Sequence, residues 1–144
     1  MRTFLTHRYG LPALALVIIV AAGWWWLASR DSADPAPRAL ATRTVQAGEV
    51  EVRMTPLSLD STGARFQITL DTHTVELNSD PAAARLLVNG APAGGATWTG
   101  SAPGGHHRTG TLAYATPIPS GATVELRIGG LPREAVGTWI APSP

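Results

Sequence analysis

Three histidines carry the chemical interest of this sequence. His73 sits in Leu70-Asp71-Thr72-His73-Thr74, and His106 and His107 stand side by side after Gly104-Gly105. Neutral imidazole is the commonest protein ligand for metals and suits Zn and Cu. With Asp71 nearby, a Cu or Zn site built from His73, His106 and His107 is one reading, and Met54 would add a thioether for Cu(I). The spacing belongs to no recognised metal motif. Adjacent residues on a strand also face opposite sides, so both histidines reach one ion only if the glycine pair twists them. In the other reading His73 is a rim residue and His106-His107 decorate a hairpin loop. There Gly104-Gly105 supplies positive φ, and a ring packs on Trp98 or bonds a carbonyl.

Other chemistry finds fewer footholds. The chain has no cysteine, which excludes a disulfide framework, a thiolate ligand and a cysteine nucleophile. Ser101 and Ser120 lack a nucleophile-elbow pattern. Asp60, Asp71, Glu76 and Asp80 are scattered without paired spacing. Gly94-Gly95 and Gly104-Gly105 lack the strand–helix context of a phosphate loop. The expectation is therefore a protein that is not an enzyme. A formal net charge of +1 gives no dense basic face, so nucleic acid is not expected as a partner. All basic residues are arginines, which fits an Ala-, Gly- and Pro-rich composition rather than arginine-specific chemistry.

The elements that must position these residues read as strands. Arg65–Leu70 alternates cleanly, with Phe66, Ile68 and Leu70 on one face. Val50–Met54 alternates with an imperfect phase, and Thr74–Leu77 is a further short piece. Arg85–Val88 ends in Asn89-Gly90, a strong turn signal. Ala96–Thr99, Gly110–Ala115, Ala122–Ile128 and Gly137–Ile140 complete the set. Asp80-Pro81 would cap one helical turn. Seven or eight short strands with Gly and Pro between them predict an immunoglobulin-like β-sandwich, with a small barrel as the alternative. Phe66, Trp98, Tyr114 and Trp139 are its expected large core residues.

Parity then separates the histidines. Phe66, Ile68 and Leu70 are even-numbered, whereas Val75 and Leu77 are odd. Side-chain direction has period two, so Asp71–Thr74 must hold a bulge, bend or turn. His73 shares parity with Val75 and Leu77, and His106 with Leu112 and Tyr114. This places His73 inward or at a rim, His106 on the inward side and His107 outside. The two expected to meet are His73 and His106.

The N-terminal part has another character. From Tyr9 to Ser29 no residue is charged, and about 20 apolar residues suffice to span a bilayer. Trp24-Trp25-Trp26 resembles an aromatic belt, and Arg2 and Arg8 precede the span. The reading is residues 1–8 cytoplasmic, 9–29 a single-pass signal-anchor helix with its N-terminus inside, 30–45 a Pro/Ala-rich linker, and 46–144 a domain in the periplasm or outside the cell. Leu27-Ala28-Ser29 would serve as a cleavage site in the rival reading, a removed signal peptide.

The pattern Phe66-x-Ile68-x-Leu70-Asp71-Thr72-His73, Trp98-x-Gly100 and Gly104-Gly105-His106-His107-x-x-Gly110-x-Leu112-x-Tyr114 resembles membrane-anchored exported β-sandwich domains of bacteria. That resemblance implies the fold and the export, and it brings no catalytic or ligand residue. The functional expectation is an extracytoplasmic, non-enzymatic binding or assembly module with an envelope protein as partner. The alternative is an envelope Cu or Zn protein using His73 and His106.

Overall fold

A computed structural model describes residues 40–143. The expected membrane span, the cytoplasmic N-terminus and most of the linker lie outside the described residues. No helix among the described residues is long and apolar enough to cross a membrane.

The described residues are all-β, with nine strands in two antiparallel sheets. β1 (Arg43–Ala47), β2 (Val50–Asp60) and β3 (Gly63–Asp71) form a meander at the start of the chain. β4 (Arg85–Val88), β5 (Ala91–Pro92), β6 (Ala96–Gly100), β7 (His107–Tyr114), β8 (Thr123–Ile128) and β9 (Ala135–Ile140) follow. One sheet runs β1-β2-β3-β7-β6 and the other β5-β4-β8-β9. β1 begins inside the stretch read from the sequence as linker.

Alternation explains the sandwich. Val50, Val52 and Met54 of β2 are fully buried, as are Phe66, Ile68 and Leu70 of β3 and Val124 and Leu126 of β8. The phase of β2 is regular as far as Pro56. The register to β3 then shifts between Pro56 and Ser58, so burial resumes at odd-numbered Leu59 and Leu57 is turned out to solvent. Proline fits such an irregularity because it has no N–H for the ladder.

Phe66 and Trp139 meet in the core with ring centroids 5.3 Å apart. The Tyr114 hydroxyl donates to the Ala84 carbonyl at 2.9 Å, tying β7 to the start of β4. Burial pushes that phenol's pKa well above its ordinary value. Trp98 departs from expectation. It is half-buried at the margin of the core, because β6 is the last strand of its sheet.

Thr74–Leu77 is not a strand. Thr72 Oγ1 accepts from the N–H groups of Thr74 (3.3 Å) and Val75 (3.4 Å), which turns the chain out of β3. This turn is the break that parity required. The expected helical turn is present as a 3₁₀ turn at Pro81–Ala83. Asp80 Oδ1 accepts from the Ala82 N–H at 2.9 Å.

Candidate functional site: a rim built on a buried arginine

The chemistry-bearing residues gather at one end of the sandwich, where the loop after β3 meets the loop before β7. The two loops are knitted by backbone bonds. Thr72 N–H donates to His106 O (2.9 Å), Leu77 N–H to Gly105 O (3.0 Å) and Gly104 N–H to Leu77 O (3.0 Å). Gly104 and Gly105 have φ of 105° and 72°. That positive-φ pair lets the second loop turn back along the first.

Beneath this rim lies Arg108, 1% exposed. Its Nη1 donates to the carbonyls of Leu77 (3.0 Å) and Ser79 (2.5 Å), and its Nη2 to Ser101 O (3.2 Å). Its guanidinium carbon is 5.8 Å from the centroid of the Trp98 ring, within cation–π range. No carboxylate pairs with it among the described residues, and Nε has no hydrogen-bond partner there. An unpaired buried charge is costly, and backbone carbonyls offset part of that cost. The return is geometric: one side chain fixes the carbonyls of both loops.

Of the histidines, His106 departs from what parity suggested, whereas His107 lies outside and His73 at the rim as expected. His106 is exposed, not inward, and its Nδ1–H donates to Val75 O at 3.1 Å. Strand β7 starts at His107, so the inward position before Leu112 and Tyr114 falls to Gly110 and Arg108. His107 is exposed on the outer face, and its Nδ1–H donates to the Asp71 carboxylate. His73 is exposed on the rim, beside a depression of about 400 Å³ lined by Gln46, Glu49, Glu51, Asp71, Thr72 and itself.

Register aligns four of these residues. Gln46 faces Glu51, Glu51 faces Asp71, and Asp71 faces His107 across β1, β2, β3 and β7. Glu51 and Asp71 are like charges directly opposed, which is unfavourable alone. Arg53 pairs with Glu51 at 3.1 Å and His107 with Asp71, so each carboxylate has its own relief.

As a metal centre the rim lacks a set of donors. Among the described residues no group of three or more His, Asp or Glu side chains is placed to hold one ion. His73 lies with Asp71 at the depression, while the His106 ring turns to the Val75 carbonyl. What the rim offers is a preorganised polar surface of imidazoles and carboxylates.

Arg108 is the residue that sequence reasoning passed over. The signal was present, since Arg108 shares parity with Leu112 and Tyr114. Its charge argued for the surface, and the carbonyls that receive it come from loops with no periodicity. Trp98, on which a histidine ring was expected to pack, is instead the wall against which Arg108 rests.

The sequence matches no protein-family model, and no curated protein is similar to it.

Proposed function

We propose that the protein is a membrane-anchored, extracytoplasmic, non-enzymatic binding module, and that the rim bearing Asp71, His73, His106 and His107 is its contact surface for an envelope protein. The observation that carries this reading is Arg108. A domain places a guanidinium in its interior, at a cost, where it holds two surface loops in one arrangement. Loops held rigid before binding lose less entropy on binding. The uncharged run 9–29 supports the anchor, with residues 1–8 inside the cell. Finer assignment of the sandwich to the immunoglobulin-like class belongs to the same proposal. The domain's size and its two antiparallel sheets support it, and the consecutive order β1-β2-β3 departs from the usual Greek-key order.

The test is a photo-crosslinking amino acid placed singly at His73, His106, Val136 or Ile140 of the full chain in cells. Adducts of discrete mass are expected from the two rim positions and not from the two on β9. No adduct at the rim, or equal labelling at all four positions, overturns the reading. Release of the chain from membranes by alkaline carbonate overturns the anchor.

A further inference from the structure

The two-residue loop Asn89-Gly90 joins β4 to β5, with Val88 opposite Ala91. Its φ angles are 50° and 81°, both positive, so the loop is a type I′ turn. Both residues are exposed, and a Cβ on Gly90 would meet nothing within 4 Å. Asparagine before glycine is also a chemically reactive pair. Glycine has no side chain to keep its amide nitrogen away from the asparagine carboxamide carbon, Cγ.

The fold holds this pair in an arrangement that does not react. Attack on Cγ closes a five-membered ring, which requires the Gly90 nitrogen to lie on the same side of the Asn89 Cα–C bond as Cβ. In a type I′ turn the first central residue has ψ of about +30°, the mirror of the type I value. That angle turns the Gly90 nitrogen nearly opposite to Cβ. The side chain is held as well. Thr123 N–H donates to Asn89 Oδ1 at 2.9 Å, and Asn89 N–H donates to Thr123 O at 2.8 Å. Both bonds fasten the turn to the start of β8. The hairpin itself is slight, because β5 has two residues, both exposed, and pairs with β4 alone. Such an edge belongs to the part of a fold that opens first.

From this we infer that Asn89 is a latent modification site: its conversion to isoaspartate waits on opening of the β4–β5 hairpin and then keeps that hairpin from closing. Once the turn opens, the Gly90 nitrogen gives up its proton and bonds to Asn89 Cγ. The Cγ–Nδ2 bond breaks, and Nδ2 leaves with that proton as ammonia. The succinimide so formed takes up one water, the only co-reactant. Hydrolysis at Cγ gives aspartate. Hydrolysis at the main-chain carbonyl gives isoaspartate, in which the chain runs through Cβ and Cγ. Aspartate keeps an oxygen for the Thr123 N–H. Isoaspartate lengthens the main chain by a methylene, so Val88 and Ala91 no longer meet across a two-residue turn. β5 is then released, the Ala93 N–H loses its bond to Leu86 O at 2.8 Å, and β4 becomes an uncovered edge. The hairpin belongs to the sheet opposite β3 and β7, which carry the rim, so either proposal can fail alone.

The test holds the full chain in mildly alkaline buffer, native in one sample and unfolded in guanidinium chloride in the other. Peptides spanning residue 89 are quantified by mass spectrometry, with isoaspartate and aspartate products separated by chromatography. Conversion is expected to be at least about tenfold slower in the native chain, because each attack waits for the hairpin to open. Thr123→Pro removes the N–H that holds Asn89 Oδ1. It is expected to speed conversion in the native chain and leave the rate in the unfolded chain unchanged. The isoaspartyl chain, returned to native buffer, is expected to lose amide-exchange protection at Ala93 and to keep it at Leu126 in β8. Equal rates of conversion in the native and unfolded wild-type chains overturn the protection by the turn. Retained protection of the Ala93 amide in the isoaspartyl chain overturns the inference that the product keeps the hairpin open.

Discussion

Arg108 shows how one residue can hold a surface together. Replacing it with leucine keeps much of the volume but leaves the carbonyls of Leu77, Ser79 and Ser101 without their donor. Hydrogen bonds from a charged donor contribute about 1.5–3 kcal/mol each, and the charge itself was costly to bury. Those opposing effects give an expected net loss of roughly 3 kcal/mol for Arg108→Leu, read from the urea midpoint. Arg108→Lys is expected to recover little, since an ammonium lacks the planar fork that reaches carbonyls on two loops. Amide exchange at Leu77 and Gly104 should accelerate in both variants, because those N–H groups knit the loops that Arg108 holds. Unchanged exchange there would mean that the loops hold themselves. Asp60 accepts from the Thr62 N–H (2.7 Å) and hydroxyl (2.6 Å) in the turn between β2 and β3, which lowers its pKa below 3.8. A depressed folded pKa stabilises fully above the unfolded value and is lost as pH falls through the folded one. Asp60→Asn should therefore flatten the decline of stability on the acid side below pH 3.8, measured by denaturation at a series of pH values.

Elements were legible where burial alternates and illegible where the chain turns on local polar contacts. β3, β4 and β8 could be placed because Phe66-Ile68-Leu70 and Val124-Leu126-Ile128 alternate without interruption, and because Asn89-Gly90 marks the end of β4. Asn89 and Gly90 do take positive φ, 50° and 81°, as a tight hairpin requires. β1 was hidden because three of its five residues, Arg43, Thr44 and Gln46, are exposed at an edge. Thr74–Leu77 looked like a strand because Val75 and Leu77 alternate, but the Thr72 hydroxyl had already turned the chain. Of the candidate site, parity placed His73 at the rim and His107 outside, but the expected meeting of His73 with His106 gives way to contacts of His106 with Val75 O and of His107 with Asp71, and the support from Arg108 was not legible. Strands β6, β7 and β9 also use glycine, at Gly100, Gly110 and Gly137, to make room for an indole, which periodicity cannot show. A Cβ on Gly137 of β9 would lie 2.4 Å from Trp139 Cη2 and 3.0 Å from Met54 Cε. Neither neighbour can withdraw easily from a filled core. Gly137→Ala is expected to cost about 2 kcal/mol, although alanine suits a strand better than glycine. Equal or greater stability in denaturant would show that Trp139 can be displaced without loss.

Across the whole domain the closing contact is made by residues that the sequence placed in the linker. Trp139 Nε1–H donates to Ala41 O at 2.6 Å, Arg43 reaches Thr138 O, and Thr42 and Thr55 share a hydroxyl hydrogen bond at 2.9 Å. The first two contacts join β1 and the residues just before it to β9, and the third joins them to β2, so the two ends of the described domain secure each other. A chain that starts at Gln46 loses them. It also exposes β2, eleven residues long, as the new end of the sheet. The lost contacts include a partly buried indole hydrogen bond worth about 1 kcal/mol and part of the apolar cover that Val45 gives the core. For a domain of about 100 residues each kcal/mol shifts Tm by about 4–8 °C. A chain starting at Gln46 should therefore melt about 10 °C below one starting at Leu40. It should also scatter light on heating, because a long unprotected strand edge recruits other chains. Equal melting of the two chains would show instead that β1 is an ornament on a sandwich already closed by β2 and β9.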